Sequence, residues 1–231
     1  MIDFHGFFDQ LLLGALMTLK VAFGALALGL GLGLVAAVAK LSRSTVARAM
    51  AGTFTGVIRG IPELLVVLII YFGSAGLLTR LAEDFGHTGF VEISPYGAGV
   101  IALGMTFGAY ASEVFRGAIM AIPVGQIEAA RAIGMSNSLI FRRITLPQLW
   151  RIALPGLGNL FLVLLKDTSL ISVIGLEELM RKTTIAVGYT KEPFTFYLAA
   201  SVLYLLMTVV SMTALYFAEK SANKGFIRDG G

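Results

Sequence analysis

EAARAIGMSNSLIFRRITLP, residues 128–147, is the one long polar and charged stretch set between strongly apolar runs. Glu128, Ala129, Ala130, Arg131 and Ala132 are strong helix formers, and Glu128 has Arg131 available at i,i+3. Gly134 is placed to end or bend that helix, because glycine adopts the left-handed cap without a Cβ penalty. Ser136 suits the N-cap of a second short helix over 137–144, before Pro147 breaks the pattern. Helix, glycine turn, helix at a membrane surface is a shape for docking another molecule. An amphipathic loop lying on lipid headgroups is the alternative.

The flanks of this stretch are apolar on the scale of a bilayer. The chain has 231 residues, 57% hydrophobic and 14% charged. A soluble domain carries roughly 25% charged residues, so most of this chain does not meet water. A crossing helix needs about 20 apolar residues. Five such spans are expected, at about 11–39, 49–78, 94–116, 152–176 and 194–218, with a polar loop over about 122–147. They are read as helices, since a strand barrel needs alternating segments of about ten residues. The expected fold is an all-α integral membrane protein forming one domain over 1–231. Within the first span, Ala25, Gly29 and Gly33 recur every four residues, a stripe that lets another helix come close. MIDFHGFFDQ at the start lacks the basic region of a cleavable signal peptide, so it is kept in the mature protein.

Basic residues between the spans orient the chain. Lys40, Arg43 and Arg48, then Arg116, Arg131, Arg142, Arg143 and Arg151, then Lys220, Lys224 and Arg228 fall on one side. Arg80, Arg181, Lys182 and Lys191 fall on the other. The richer side is expected to be cytoplasmic, with the N-terminus outside, the C-terminus inside and residues 128–147 in the cytoplasm. Topology accounts for the net charge of +4 without a nucleic-acid partner.

Charges inside spans are costly and rarely idle. Glu63, directly after Pro62, and the pair Lys166–Asp167 are expected at similar depth, where two carboxylates form a cation site. Pro62 is expected to kink its helix and free a backbone carbonyl there. The structural alternative pairs Arg59 with Glu63 at i,i+4 and compensates Asp167 with Lys166. Glu113 and Arg116 form a further i,i+3 pair, best read as a structural ion pair at a gate. Thr168 and Ser169 can serve a substrate or only their own helix backbone. Tyr71, Phe72, Tyr197 and Tyr204 are read as lipid-facing or interfacial anchors. The loop 177–192 carries mixed charge and suits either solvent or a soluble partner.

Catalytic patterns are missing. The sequence has no phosphate-binding Gly-x-x-x-x-Gly-Lys-Ser/Thr loop and no cysteine, and its two histidines, His5 and His87, lie far apart. Energy for any pumping must come from another polypeptide.

Glu128-Ala129-Ala130, then Gly134, then Ile144, Leu146 and Pro147 resemble the EAA loop of bacterial importer permeases of the ATP-binding cassette class. The resemblance extends through Thr18-Leu19, Arg59-Gly60-Ile61-Pro62, Gly108-Ala109-Tyr110 and the run from Leu165 to Leu170. It is closest to polar amino-acid permeases of the histidine, lysine/arginine/ornithine and octopine/nopaline branch. It implies the type I importer permease fold in the bacterial inner membrane and a second permease, identical or paralogous. It also implies two cytoplasmic ATPase subunits, which bind ATP and magnesium in place of this chain, and a periplasmic amino-acid-binding protein. Residues 128–147 become coupling helices seated on the ATPase, where Glu128 meets a basic group, Gly134 permits the turn and Arg142 and Arg143 add contacts. Glu63 after Arg-Gly-x-Pro, and Asp167 where histidine-type relatives can have serine, lean toward arginine, ornithine or opines. Two other classes stay open: a gradient-driven secondary transporter or channel using Glu63 and Asp167, and a membrane scaffold without a path.

Overall fold

The structure, a computed structural model, describes residues 6–85 and 93–223. Every regular element among these residues is helical. The order is α1 (Phe8–Leu41), α2 (Thr45–Gly60), α3 (Glu63–Asp84), α4 (Pro95–Met120), α5 (Val124–Ala132), α6 (Asn137–Ile140), α7 (Leu146–Asp167), α8 (Leu179–Thr190) and α9 (Pro193–Ala222). A π-turn, Phe141–Thr145, joins α6 to α7, and a 3-10 turn, Thr168–Ile174, extends α7. Five segments are long and apolar enough to cross a bilayer: Phe8–Leu41, Glu63–Arg80, Pro95–Met120, Asn137–Ile174 and Pro193–Ala222. The all-helical, five-span expectation therefore stands. Both histidines, Lys224 and Arg228 lie outside the described residues.

The second span departs from expectation, because residues 49–78 do not form one helix. α2 ends at Gly60 and α3 begins at Glu63. Proline disfavours helical backbone in the residue before it, and Ile61 is extended, with φ −109° and ψ 136°. Pro62 then opens α3, and its carbonyl accepts from the N–H groups of Leu65 and Val66. Only Ala51 and Thr55 of α2 are buried. α2 is thus an amphipathic helix beside the bundle, and α3 alone is long enough to cross.

α1 and α4 form the tightest contact in the bundle. Gly29 and Gly33 make it possible, as the small-residue stripe implied. A Cβ on Gly29 would stand 2.8 Å from the carbonyl oxygen of Gly104, and one on Gly33 would stand 2.9 Å from Ala111 Cβ. These are below ordinary van der Waals separations, so glycine at both positions is what lets α4 come this close. Ala25, Leu103, Phe107, Ala111 and Phe115 continue this core toward Leu149 and Leu157 of α7. A second cluster gathers Leu11, Leu165, Leu179, Phe196 and Met207 from α1, α7, α8 and α9.

Candidate transport and coupling sites

The break at Pro62 decides where Glu63 lies. The carboxylate sits in the first turn of α3, not deep in a continuous helix. It nevertheless lines one cavity with Asp167, the last residue of α7. That cavity holds about 240 Å³ and is walled by Leu103, Thr106, Phe107 and Tyr110 of α4 and Leu160, Val163 and Leu164 of α7. Both acids are half-buried, whereas Lys166 is exposed and does not line the cavity. Thr168 donates to the Leu165 carbonyl at 2.7 Å, and Ser169 to the Lys166 carbonyl at 2.8 Å. Both hydroxyls thus serve the helix backbone. Two acids in an otherwise apolar recess are costly to hold ionised together, a cost that a cation or a proton offsets.

Arg59 does not neutralise Glu63, because the extended residue Ile61 destroys the i,i+4 relation. Its guanidinium lies over the Tyr110 ring, 5.1 Å from the centroid, and 4.0 Å from Glu113 Oε1. Glu113 gathers two closer cations. Lys40 Nζ, from the last turn of α1, donates to Oε1 at 2.6 Å, and Arg116 Nε donates to Oε2 at 2.9 Å. The expected Glu113–Arg116 pair is present, and Lys40 converts it into a clamp between α1 and α4. Lys40 also reaches the Ser112 hydroxyl at 3.4 Å.

Residues 128–147 form the helix–turn–helix that their residue types imply, with two corrections. α5 starts at Val124 and ends at Ala132, Gly134 has φ +81°, and the Ser136 hydroxyl accepts from Leu139 N–H at 3.4 Å. Pro147, however, breaks nothing: it sits in the first turn of α7, where its missing N–H costs least. The preceding π-turn keeps the path helical from Asn137 to Ile174. Second, Glu128 and Arg131 are both exposed and form no ion pair among the described residues. Glu128, Ala129, Gly134, Arg142, Arg143 and Pro147 are exposed. Ala130 is turned inward, and Leu146 packs against the core. Between α5 and the start of α7 lies an open groove of about 600 Å³, lined by Ala129, Ala130, Ile133, Arg143 and Pro147 among others. Gln126 and Gln148 bridge its base, with Gln148 Nε2 donating to Gln126 Oε1 at 2.6 Å. Ile133 at its rim is 79% exposed, an apolar side chain that water does not favour.

Residues 29–224 match the family described as binding-protein-dependent transport system inner membrane component. The chain belongs to that family. This permease is 47% identical over 221 residues to the nopaline transport system permease protein NocQ of Agrobacterium fabrum, covering 95% of this chain and 94% of the relative. It is 42% identical over 224 residues to the histidine/lysine/arginine/ornithine transport system permease protein HisQ of Escherichia coli, covering 97% and 98%. The arginine ABC transporter permease protein ArtQ of Escherichia coli is 44% identical over 211 residues, covering 86% of this chain and 89% of the relative. A crystal structure of an amino acid ABC transporter with histidines superposes with a TM-score of 0.79 at 33% identity, covering 96% and 99%. The resemblance read from residues 128–147 therefore holds along the chain. The permease is an inner-membrane component of a transporter and not itself an enzyme.

The permease also has a buried carboxylate that sequence reasoning missed. Glu178, placed by expectation in a solvated loop, is fully buried and N-caps α8. It accepts from the backbone N–H groups of Met180 at 2.9 Å and Arg181 at 2.8 Å. The Thr18 hydroxyl at 3.5 Å and the Tyr204 hydroxyl at 3.3 Å complete its shell. Thr18 accepts in turn from Leu179 N–H at 3.2 Å. Burial pushes the Glu178 carboxyl above the usual glutamate range, and these hydrogen bonds oppose the shift. Tyr204 is therefore no lipid anchor. Neighbouring Glu177 is exposed and pairs with Lys182, whose ammonium holds that carboxyl below the usual range. The available signal was acid, then helix formers, at 178–182, an N-cap pattern hidden by the mixed charge around it.

Proposed function

We propose that this permease conducts cationic amino acids or opines inward, through a path lined by Glu63 and Asp167. ATP hydrolysis by two separate subunits seated on residues 128–147 drives it. The observation that carries the substrate class is the acid pair facing one cavity, in a chain whose close relatives bear the names of nopaline, arginine and histidine/lysine/arginine/ornithine permeases. The family description supports a binding protein as the donor of substrate. The second permease is another copy or a paralogue, because one five-span chain has no evident internal duplication to form both halves of an alternating path.

Coupling rests on the exposed face of the stretch. Glu128, Arg142 and Arg143 offer both signs of charge around an apolar rim at Ile133 and an open groove. That combination suits a partner surface better than lipid headgroups, which want a one-signed basic face. In this reading the basic ends are cytoplasmic, the N-terminus is outside and the C-terminus is inside. ATP and magnesium stay with the ATPase, and closure of the ATPase pair pulls on α5 and α6 and rocks the spans.

The test is co-reconstitution in liposomes with permease partner, ATPase and binding protein. Hydrolysis and uptake are read for arginine, ornithine, histidine, octopine and glutamate. Loaded binding protein is expected to stimulate hydrolysis. Glu128→Lys is expected to abolish the stimulation while the complex stays assembled. Joint Glu63→Gln and Asp167→Asn exchange is expected to cut uptake of cationic substrates by at least about tenfold. Hydrolysis blind to ligand and to Glu128→Lys sinks the coupling assignment. Gradient-driven uptake by the chain alone would replace it.

A further inference from the structure

Two cavities meet at Tyr110. It lines the acidic cavity of Glu63 and Asp167, and also a more open cavity of about 520 Å³ that contains Lys40, Arg59 and Glu113. Gly52, Gly56 and Gly60 form the α2 side of the second cavity, and a Cβ on any of them would meet nothing within 4 Å. There is room beside Arg59 for part of a ligand.

The charges of this second cavity are unequally engaged. Lys40 and Arg116 hold Glu113 at hydrogen-bonding distance, 2.6 and 2.9 Å. Arg59 stands off at 4.0 Å, with its side chain 43% exposed. It donates no hydrogen bond among the described residues, and it rests over the Tyr110 ring, 5.1 Å from the centroid. A guanidinium has five donors in a planar fork that matches a carboxylate. Two cations, Lys40 and Arg59, against one acid, Glu113, leave the lining of this cavity positive, opposite in sign to the cavity that shares Tyr110.

A cationic amino acid presents the complement of these two cavities. Its side-chain cation and α-ammonium suit the acidic cavity. Its carboxylate finds no cation there: the lining is Glu63, Asp167, Tyr110, apolar groups and Thr106, whose hydroxyl donates to the Ala102 carbonyl at 3.1 Å. Lys166, next to Asp167 in sequence, is exposed and does not line the cavity. Arg59 lines the cavity that shares Tyr110, lies over that ring, and is the cation that Glu113 holds least closely.

We propose that Arg59 binds the α-carboxylate of the amino acid held at Glu63 and Asp167, and thereby favours amino acids over organic cations that lack a carboxylate. The proposal rests on the acidic cavity being the substrate path. Tyr110 positions Arg59 by the attraction between its ring face and the guanidinium. Glu113 engages Lys40 and Arg116 more closely than Arg59, which leaves the Arg59 donors for the carboxylate.

The test compares arginine with agmatine, the same cation without its carboxylate. Binding of each radiolabelled ligand is measured on the assembled permease–ATPase complex in nanodiscs, without binding protein, so that only the membrane path selects. The wild-type complex is expected to prefer arginine. Arg59→Gln should weaken arginine about tenfold, the worth of one charge-assisted hydrogen bond, and leave agmatine equal or tighter. Arg59→Lys should restore part of the preference, and Tyr110→Leu should lose a smaller part of the preference for arginine over agmatine. Equal loss of both ligands in Arg59→Gln, or no loss of arginine, overturns the proposal. The acidic cavity survives that result if joint Glu63→Gln and Asp167→Asn exchange still abolishes binding of both ligands. Unchanged arginine binding in that double variant removes the path and this proposal together.

Discussion

Two glutamates hold α1 at two levels, and they do so in opposite ways. Glu178 meets α1 at Thr18, and Glu113 meets it at Lys40. At 1.5 Å per residue those positions are about 33 Å apart along the helix, close to the thickness of a bilayer core. Glu178 is fully buried, and two of its four partners are backbone N–H groups, which do not change rotamer. The side chain of Glu113 is 31% exposed, and its partners are long charged side chains from three helices. The first arrangement can only be broken by unpacking α8 from α1 and α9. The second can exchange partners while every helix stays where it is. A transporter that must alternate between states needs both kinds of joint, and the exchangeable one adjoins the cavities.

The largest effect should come from breaking the buried joint. Glu178→Ala leaves Thr18, Tyr204 and two α8 N–H groups short of a partner, and is expected to cost about 3 kcal/mol, read as a lowered Tm in detergent. An equal Tm loss in Glu113→Ala would erase the distinction between the two joints.

The pH dependence of stability sharpens the same contrast. The Glu178 carboxyl titrates higher in the folded protein than in the unfolded chain. Its contribution is therefore fully present below the ordinary glutamate value and is lost as pH rises through the raised value, with no further change above. Tm should fall over that window in the wild type, and Glu178→Gln should remove the slope. A slope that persists in Glu178→Gln assigns the titration to another group.

The smallest stability effect belongs to Glu113. Glu113→Ala is expected to cost no more than about 1 kcal/mol, since partly exposed ion pairs are screened by water and salt. Its uptake activity should nevertheless fall well below that of wild type in the reconstituted system. A variant with normal uptake would make the clamp a surface ornament rather than a moving joint.

Several features were legible because they depend on neighbours in sequence. The glycine turn at Gly134 and the cap at Ser136 are local chemistry, and both occur where the residue types place them. The stripe of Ala25, Gly29 and Gly33 announced a close helix contact, although not that Gly104 and Gly108 of α4 would supply the other side. Other features depend on tertiary contacts that no local pattern carries. Pro62 was visible, but whether it kinks one span or divides two helices depends on what α2 packs against. Lys40 read as a topology signal, and its bond to Glu113 spans 73 positions. Glu178 lay among exposed charges in sequence, while its partner Thr18 is 160 positions away.

By itself, the sequence determined that this chain crosses a membrane in five helices and presents residues 128–147 as a helix–turn–helix between two of them. Hydrophobic length, glycine, proline and capping residues act over a few neighbours, so their consequences need no fold to be read. Only the tertiary structure decided which charges meet. It placed Glu63 beside Asp167, gave Glu113 to Lys40, held Arg59 against Tyr110 and buried Glu178 under Thr18 and Tyr204. An ion pair or a buried carboxylate is a relation between distant segments, and its energy depends on a burial that exists only once the helices have packed.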